Sequence, residues 1–87
     1  MNKFSNKEAV ATYLGWSFDD VEDYRYHYGL TKAPIYTAGN KYIMALPNGK
    51  KPTKHDVEYI GEFKEMTDSM GEYCKSRGRT VWIFESE

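Results

Sequence analysis

The sequence predicts a small single domain of the α+β class, in the order α-α-β-β-α-β, with helices packed on a three-stranded, mainly antiparallel sheet. Three observations support this class. The 87 residues and the hydrophobic fraction of 40% suit one compact unit. Apolar residues recur at helical spacing in two early segments and in one long later segment. Short β-favouring runs, bounded by turn residues, lie between and after these segments, and no change in composition divides residues 1–87.

Two consecutive helices are predicted in a helix-turn-helix-like unit over residues 5–29. Ser5 and Glu8 have the spacing of a capping box, and Gly15 is a typical residue just after a helix. A second helix is predicted to start at Ser17 and to end near Gly29. Its apolar residues recur every three or four positions and are Phe18, Val21, Tyr24 and Tyr28.

The strands are predicted from β-favouring runs and from the turn between two of them. Gly39 and Asn40 form a pair typical of tight hairpin turns, so residues 35–46 are predicted to be a β-hairpin. The last run, residues 80–85, is predicted to be a strand with apolar side chains on both faces. Such a strand favours an interior position in the sheet over a solvated edge.

A long third helix is predicted over residues 54–76, with Thr53 as its N-cap. Its apolar residues form two stripes. One stripe consists of Val57, Ile60, Thr67 and Cys74, with Gly71 on the same side allowing close approach; the other consists of Tyr59, Phe63, Met66, Met70 and Tyr73. A helix on a small sheet needs one stripe. We therefore expect the second to meet the first two helices, a second copy in a homodimer, or a partner protein.

Groups that support catalysis or metal binding are few. His27, His55 and Cys74 are the only histidines and the only cysteine, and a structural zinc site normally takes four such ligands. No glycine-rich phosphate loop, Ser-His-Asp order or HExxH spacing occurs. We therefore expect no catalytic residue, no metal and no cofactor, and we interpret Cys74 as a small buried hydrophobic residue.

The charge and the amino-terminal residues bear on partners and compartment. Twelve basic and thirteen acidic side chains give a net charge of −1, which provides no overall attraction to nucleic acid or to anionic lipid. No stretch has the apolar length of a membrane span, and residues 1–10 lack the apolar core of a secretory signal. Together with the single cysteine, these features predict a cytoplasmic protein without a membrane partner.

The first half of the chain, residues 5–46, resembles the winged helix-turn-helix of the MerR and excisionase class. The residues that carry this resemblance are residues 11–17, Val21, Tyr24, Arg25, Gly29 and Leu30, followed by the hairpin. In that class the second helix enters the major groove and the hairpin forms the wing. The resemblance therefore implies a winged-helix fold and DNA binding.

Charged residues in this half indicate two different surfaces. The outward positions of the predicted second helix are acidic: Asp19, Asp20, Glu22 and Asp23. Carboxylates repel phosphates, so we expect this face to contact a protein. Lysines surround the predicted wing and its following loop: Lys41, Lys50, Lys51 and Lys54. They are the alternative nucleic-acid contacts, although ordinary solubilising charge also explains them.

The sequence therefore predicts a small non-catalytic module that binds a protein. One expected form of such a module is a phage or mobile-element inhibitor that occludes a host or defence protein. The residues expected to contact the partner are the acidic face and the second stripe of the long helix, and this stripe is also the expected dimer seam. A winged-helix DNA-binding regulator that uses a basic wing is the alternative.

Overall fold

The fold is α+β, as predicted, and it is seen in a computed structural model that describes residues 4–17, 21–24 and 34–86. Three helices and a five-stranded antiparallel sheet lie in these ranges. The elements are α1 (Asn6–Leu14), β1 (Glu22–Tyr24), β2 (Ile35–Ala38), β3 (Lys41–Pro47), α2 (Lys54–Tyr59), β4 (Lys64–Glu65), α3 (Ser69–Ser76) and β5 (Arg79–Glu85). The strand order is β1-β2-β3-β5-β4, so the expected sheet of three strands is too small by two.

The first helix confirms both of its predicted ends. The hydroxyl of Ser5 accepts the backbone N–H of Glu8 at 3.1 Å, which satisfies one of the free donors of the first turn. Gly15 follows the helix in the left-handed conformation, with φ of 73°. Its N–H donates to the carbonyls of Ala11 and Thr12 in the last helical turn, as in other helices that end at a glycine.

The hairpin and the last strand are also confirmed. Strands β2 and β3 pair across Gly39 and Asn40, with Tyr36 opposite Ile43. Strand β5 lies between β3 and β4, and it pairs with β3 along its whole length. The apolar character of both faces of β5 thus reflects an interior position in the sheet, as predicted.

The predicted second helix is wrong at Glu22–Tyr24, which form strand β1. In the pairing of β1 with β2, Glu22 lies opposite Thr37 and Tyr24 opposite Ile35. The edge of the hairpin supplies backbone partners there, and this tertiary pairing overrides the helical spacing of the apolar residues. The rest of the predicted helix lies largely outside the described residues.

The predicted long helix is also wrong, because residues 54–76 form two short helices with a strand between them. The predicted N-cap of α2 is confirmed, since Thr53 and Asp56 form a capping box. The chain leaves the helical direction at Gly61, where φ is 153°. Backbone pairing of β4 with β5 then replaces helical hydrogen bonds. Asp68 begins α3 by accepting the N–H of Gly71 at 2.9 Å.

The main core lies between one face of the sheet and helices α1 and α3. Its buried residues are Ala9, Val10, Ala11, Val21, Tyr36, Ile43, Ala45, Cys74, Val81 and Ile83. Side chains alternate along a strand, so Met44 and Ile35 are buried on the opposite face and Trp82 and Phe84 are half-buried there. None of the helices in the described ranges has the length and apolar character needed to cross a lipid bilayer.

Candidate binding site

Helix α3 buries one side and exposes apolar side chains on the other. Cys74 is fully buried and Gly71 is also buried, where an added Cβ would collide with the carbonyl of Met66. Met70 and Tyr73, one helical turn apart, remain 39% and 44% exposed. The predicted close approach at Gly71 is therefore confirmed, and the neighbour is the loop before the helix.

Arg77 organises the exposed side of α3. Its Nη1 donates a hydrogen bond to the hydroxyl of Tyr73 at 3.0 Å, and its guanidinium carbon lies 4.5 Å from the centre of the Phe4 ring. A guanidinium at this distance is attracted to the face of the ring. We call Phe4, Met70, Tyr73 and Arg77 the α3 surface. Its aromatic and cationic groups are held in place before any partner arrives.

Arg79 fixes the segment that carries Phe4. Its Nε donates to the carbonyl of Phe4 at 3.0 Å, and its Nη1 donates to the carbonyl of Ala45 at 2.6 Å. Arg79 therefore anchors the segment at Phe4 to strand β3. Burial lowers the pKa of Arg79 from its usual value, because burial disfavours the charged form.

A second surface is a groove of about 220 Å³ between the turn after β3 and the end of α3. Its lining consists of Gly49, Lys50, Lys51, Glu65, Lys75, Thr80 and Trp82, and we call it the lysine groove. Three ammonium groups and one carboxylate leave an excess of two positive charges. The carboxylate of Glu65 lies 3.4 Å from Lys75 Nζ, and both side chains are exposed, so this ion pair is weak.

Asn48 brings the two sides of the lysine groove together. Its Nδ2 donates to the carbonyl of Lys75 at 2.9 Å, and its Oδ1 accepts the hydroxyl of Thr80 at 2.8 Å. Its backbone N–H donates to the carbonyl of Gly78 at 3.2 Å. These three hydrogen bonds tie the turn that carries Lys50 to the carboxyl end of α3 and to the start of β5.

Trp82 is one of the side chains that line the lysine groove. Its indole Nε1–H is buried and has no hydrogen-bond acceptor among the residues that the structure describes. An unsatisfied buried donor costs about 1–3 kcal/mol. Trp82 is thus a side chain of the groove whose hydrogen-bonding capacity the described fold leaves unused.

A larger groove of about 460 Å³ lies near the other end of β5. It is lined by Tyr13, Lys41, Glu62, Lys64, Met66, Ile83, Phe84 and Glu85, and we call it the tyrosine groove. The hydroxyl of Tyr13 donates to Asp68 Oδ2 at 2.8 Å. Burial, and then this hydrogen bond, raise the pKa of Tyr13 to about 12. Tyr13 is therefore neutral near pH 7 and joins α1 to the start of α3.

The structure separates the residues of the predicted second stripe. Met70 and Tyr73 stay together on α3, whereas Met66 packs against the main core. Phe63 lies beside Phe84, with ring centres 6.3 Å apart. Tyr59 is on α2 and is 54% exposed. The five residues therefore do not form one seam, because the helix that would align them is interrupted.

The predicted lysine cluster is divided in a similar way. Lys50 and Lys51 line the lysine groove, where the structure adds Lys75. Lys41 is at the far end of β3, about 20 Å along the strand, and lines the tyrosine groove. Lys54 begins α2 and lines neither groove.

The predicted acidic face is not present as a helical surface. Asp19 and Asp20 lie outside the described residues, and Glu22 and Asp23 belong to strand β1. This face therefore no longer supports the prediction of a protein partner.

The interpretation of Cys74 as a buried hydrophobic residue is confirmed. Its thiol is fully enclosed and lies 3.7 Å from the carbonyl of Ala9. Burial raises the pKa of Cys74, which disfavours the reactive thiolate.

Sequence reasoning missed several members of both surfaces. Phe4 precedes the first helix, and nothing local indicates that it meets Arg77. Trp82 appeared only as a strand residue and Lys75 only as a helix residue. Asn48 lies between Pro47 and Gly49, a run of turn-forming residues in which an asparagine needs no further explanation. Their roles depend on contacts between segments far apart in the chain.

Within the described ranges, no three His, Cys, Asp or Glu side chains are grouped so that they could hold a metal ion. Comparison of the chain with protein-family models, with curated proteins and with solved structures gave no match. A functional argument for this chain therefore depends on the geometry of its own surfaces.

Proposed function

We propose that this protein is a small non-catalytic binding module that contacts another protein through the α3 surface. The observation that carries the proposal is the exposed Tyr73, held by Arg77, which in turn stacks on Phe4. Tyrosine and arginine are enriched among the residues that dominate binding energy at protein interfaces. Met70 adds a flexible apolar group that adapts to the shape of a partner.

The contacts of Tyr73 and Arg77 reduce the cost of binding. Ordering a free side chain at an interface costs about 0.5–1.5 kcal/mol. Tyr73 and Arg77 already restrain each other through a hydrogen bond of 3.0 Å. More of the contact energy with a partner then remains as affinity.

The charge of the α3 surface defines the chemistry of the partner. Arg77 forms no ion pair with the residues that the structure describes. A partner that offers an apolar pocket for Tyr73 with a carboxylate at its rim would satisfy both side chains. An inhibitor that occludes such a pocket on a host or defence protein is the biological form that we favour for this small module.

The test is affinity capture from a lysate of the native host cells with immobilised protein and matched variants. The replacements Tyr73→Ala and Arg77→Ala remove the surface, while Tyr59→Ala removes an exposed tyrosine on α2 as a control. We expect a specific protein that the unmodified chain and Tyr59→Ala retain and that both surface variants lose by at least about tenfold. Equal retention by all four proteins would overturn the role of the α3 surface.

A homodimer through the same helix is the other occupant that the sequence suggested. Light scattering after size exclusion at micromolar concentration measures the mass directly. A dimer that Tyr73→Ala dissociates would show that a second copy occupies the α3 surface. A monomer is the result expected when the surface serves a different protein.

A further inference from the structure

We propose that the lysine groove binds a phosphate oxyanion. Two sources offer this chemistry: the phosphodiester backbone of a single-stranded nucleic acid, and a free polyphosphate. The groove contains none of the residues of the α3 surface, although Lys75 is on the same helix, and the proposal does not depend on the proposed protein partner.

The charge of the groove is the first support. The whole chain carries a net charge of −1, yet the groove lining has three lysines against one glutamate. Within the described residues neither Lys50 nor Lys51 has a carboxylate partner, and Lys75 has only the weak pair with Glu65. The groove therefore attracts anions, although the protein as a whole does not.

The cations of the groove are of a type that binds phosphate. All three cations of the groove are lysines. The two nearby arginines make other contacts: Arg77 contacts Tyr73 and Phe4, and Arg79 donates to two backbone carbonyls. Lysine ammonium groups act as point charges and suit the several oxygens of a phosphate group, which they contact from different directions.

The framework of the groove is fixed before binding. The turn after β3 is closed by a hydrogen bond of 3.0 Å from Lys50 N–H to the Pro47 carbonyl. The side chain of Asn48 ties that turn to α3 and to β5. The backbones that carry Lys50 and Lys75 are thereby held close together, so an anion between them orders only the lysine side chains.

Trp82 supplies the wall of the groove and a means of observing it. Trp82 is among the residues that line the groove, so an anion bound beside the lysines changes the environment of its indole ring. The chain has two tryptophans, and Trp16 does not line the groove. Replacement of Trp16 by phenylalanine therefore leaves Trp82 as the only indole fluorophore, next to the proposed site.

The experiment titrates the Trp16→Phe protein with sodium pyrophosphate and, separately, with oligothymidylate, while the fluorescence of Trp82 is followed. In the same background, Lys50→Gln, Lys51→Gln and Lys75→Gln test the groove. Lys41→Gln and Lys64→Gln are matched controls, because they remove the same charge from the tyrosine groove. Glu65→Gln removes the one carboxylate among the described residues that line the lysine groove. Circular dichroism of each variant verifies the fold.

We expect each groove variant to weaken binding by at least about threefold, the controls by less than about twofold, and Glu65→Gln to strengthen it. For oligothymidylate, each lysine removed from the groove lowers the salt dependence by about one ion. Binding of the oligonucleotide alone identifies nucleic acid as the source, and binding of pyrophosphate as well identifies a free phosphate site. Equal losses in groove and control variants, or no fluorescence change with either probe at low salt, would overturn the proposal.

Discussion

The side chain of Asn6 accepts the backbone N–H of Ala45 at 2.7 Å, although the two residues belong to helix α1 and strand β3. The same carboxamide donates to the carbonyl of Pro34 at 2.8 Å. Continuing the register of β2 and β3 would place Pro34 opposite Ala45. The amide of Asn6 therefore bridges the two backbones just beyond the last pair of the hairpin, and it fixes α1 against the sheet.

Replacement of this amide should destabilise the fold. Asn6 is 8% exposed, and Asn6→Ala leaves a buried N–H and a carbonyl without their partner. We expect the free energy of unfolding to fall by about 2–3 kcal/mol, measured by urea denaturation. Asn40→Ala is the control, because that exposed amide also bonds a backbone carbonyl, of Ser86, and its loss should cost under about 1 kcal/mol.

Arg79 and Arg77 should differ in their effect on stability. Arg79→Met removes two charge-assisted hydrogen bonds to carbonyls, so we expect a loss of about 2–3 kcal/mol in the free energy of unfolding. Arg77→Met removes contacts on the exposed side of α3 and should cost under about 1 kcal/mol. Thermal and urea denaturation of both variants measure this difference. Equal losses would contradict the anchoring role of Arg79.

Gly61 should tolerate no side chain, because two constraints coincide there. Its φ is 153°, and an added Cβ would collide with the ring of Phe84. We expect Gly61→Ala to lower the free energy of unfolding by at least about 2 kcal/mol. Gly49→Ala is matched, since φ is 92° but nothing lies within 4 Å of the added atom. In Gly49→Ala the free energy of unfolding should fall by only about 1 kcal/mol, through backbone strain.

The raised pKa of Tyr13 predicts that the protein loses stability at alkaline pH. Burial and the hydrogen bond to Asp68 raise its pKa in the folded protein from 10.0 to about 12. The unfolded chain therefore loses this proton more readily. The stability that the folded protein gains from holding this proton is fully present below pH 10, and it is lost as the pH rises from 10 towards 12. Urea denaturation at pH 8 to 11 should show that the free energy of unfolding falls more steeply with pH in the unmodified protein than in Tyr13→Phe. Equal declines in the two proteins would contradict this prediction.

Local sequence determined those parts of the fold whose signals act over a few residues. Ser5 and Gly15 set the ends of α1, Gly39 and Asn40 set the hairpin turn, and Thr53 set the start of α2. Caps and tight turns satisfy backbone groups with neighbours in the chain, so their residue types are sufficient to predict them. The interior position of β5 followed from apolar residues on both of its faces.

Tertiary structure decided where local signals competed with distant partners. The segments around Tyr24 and Lys64 have helical spacing, yet the edges of the sheet offered them backbone hydrogen bonds, so they became strands. The candidate surfaces were decided in the same way. The sequence identified Lys50 and Tyr73, but Asn48 and Arg77 complete their sites through contacts that only the packed chain creates. Spacing along a chain specifies which residues can share an element, whereas hydrogen bonds between elements specify which of them meet.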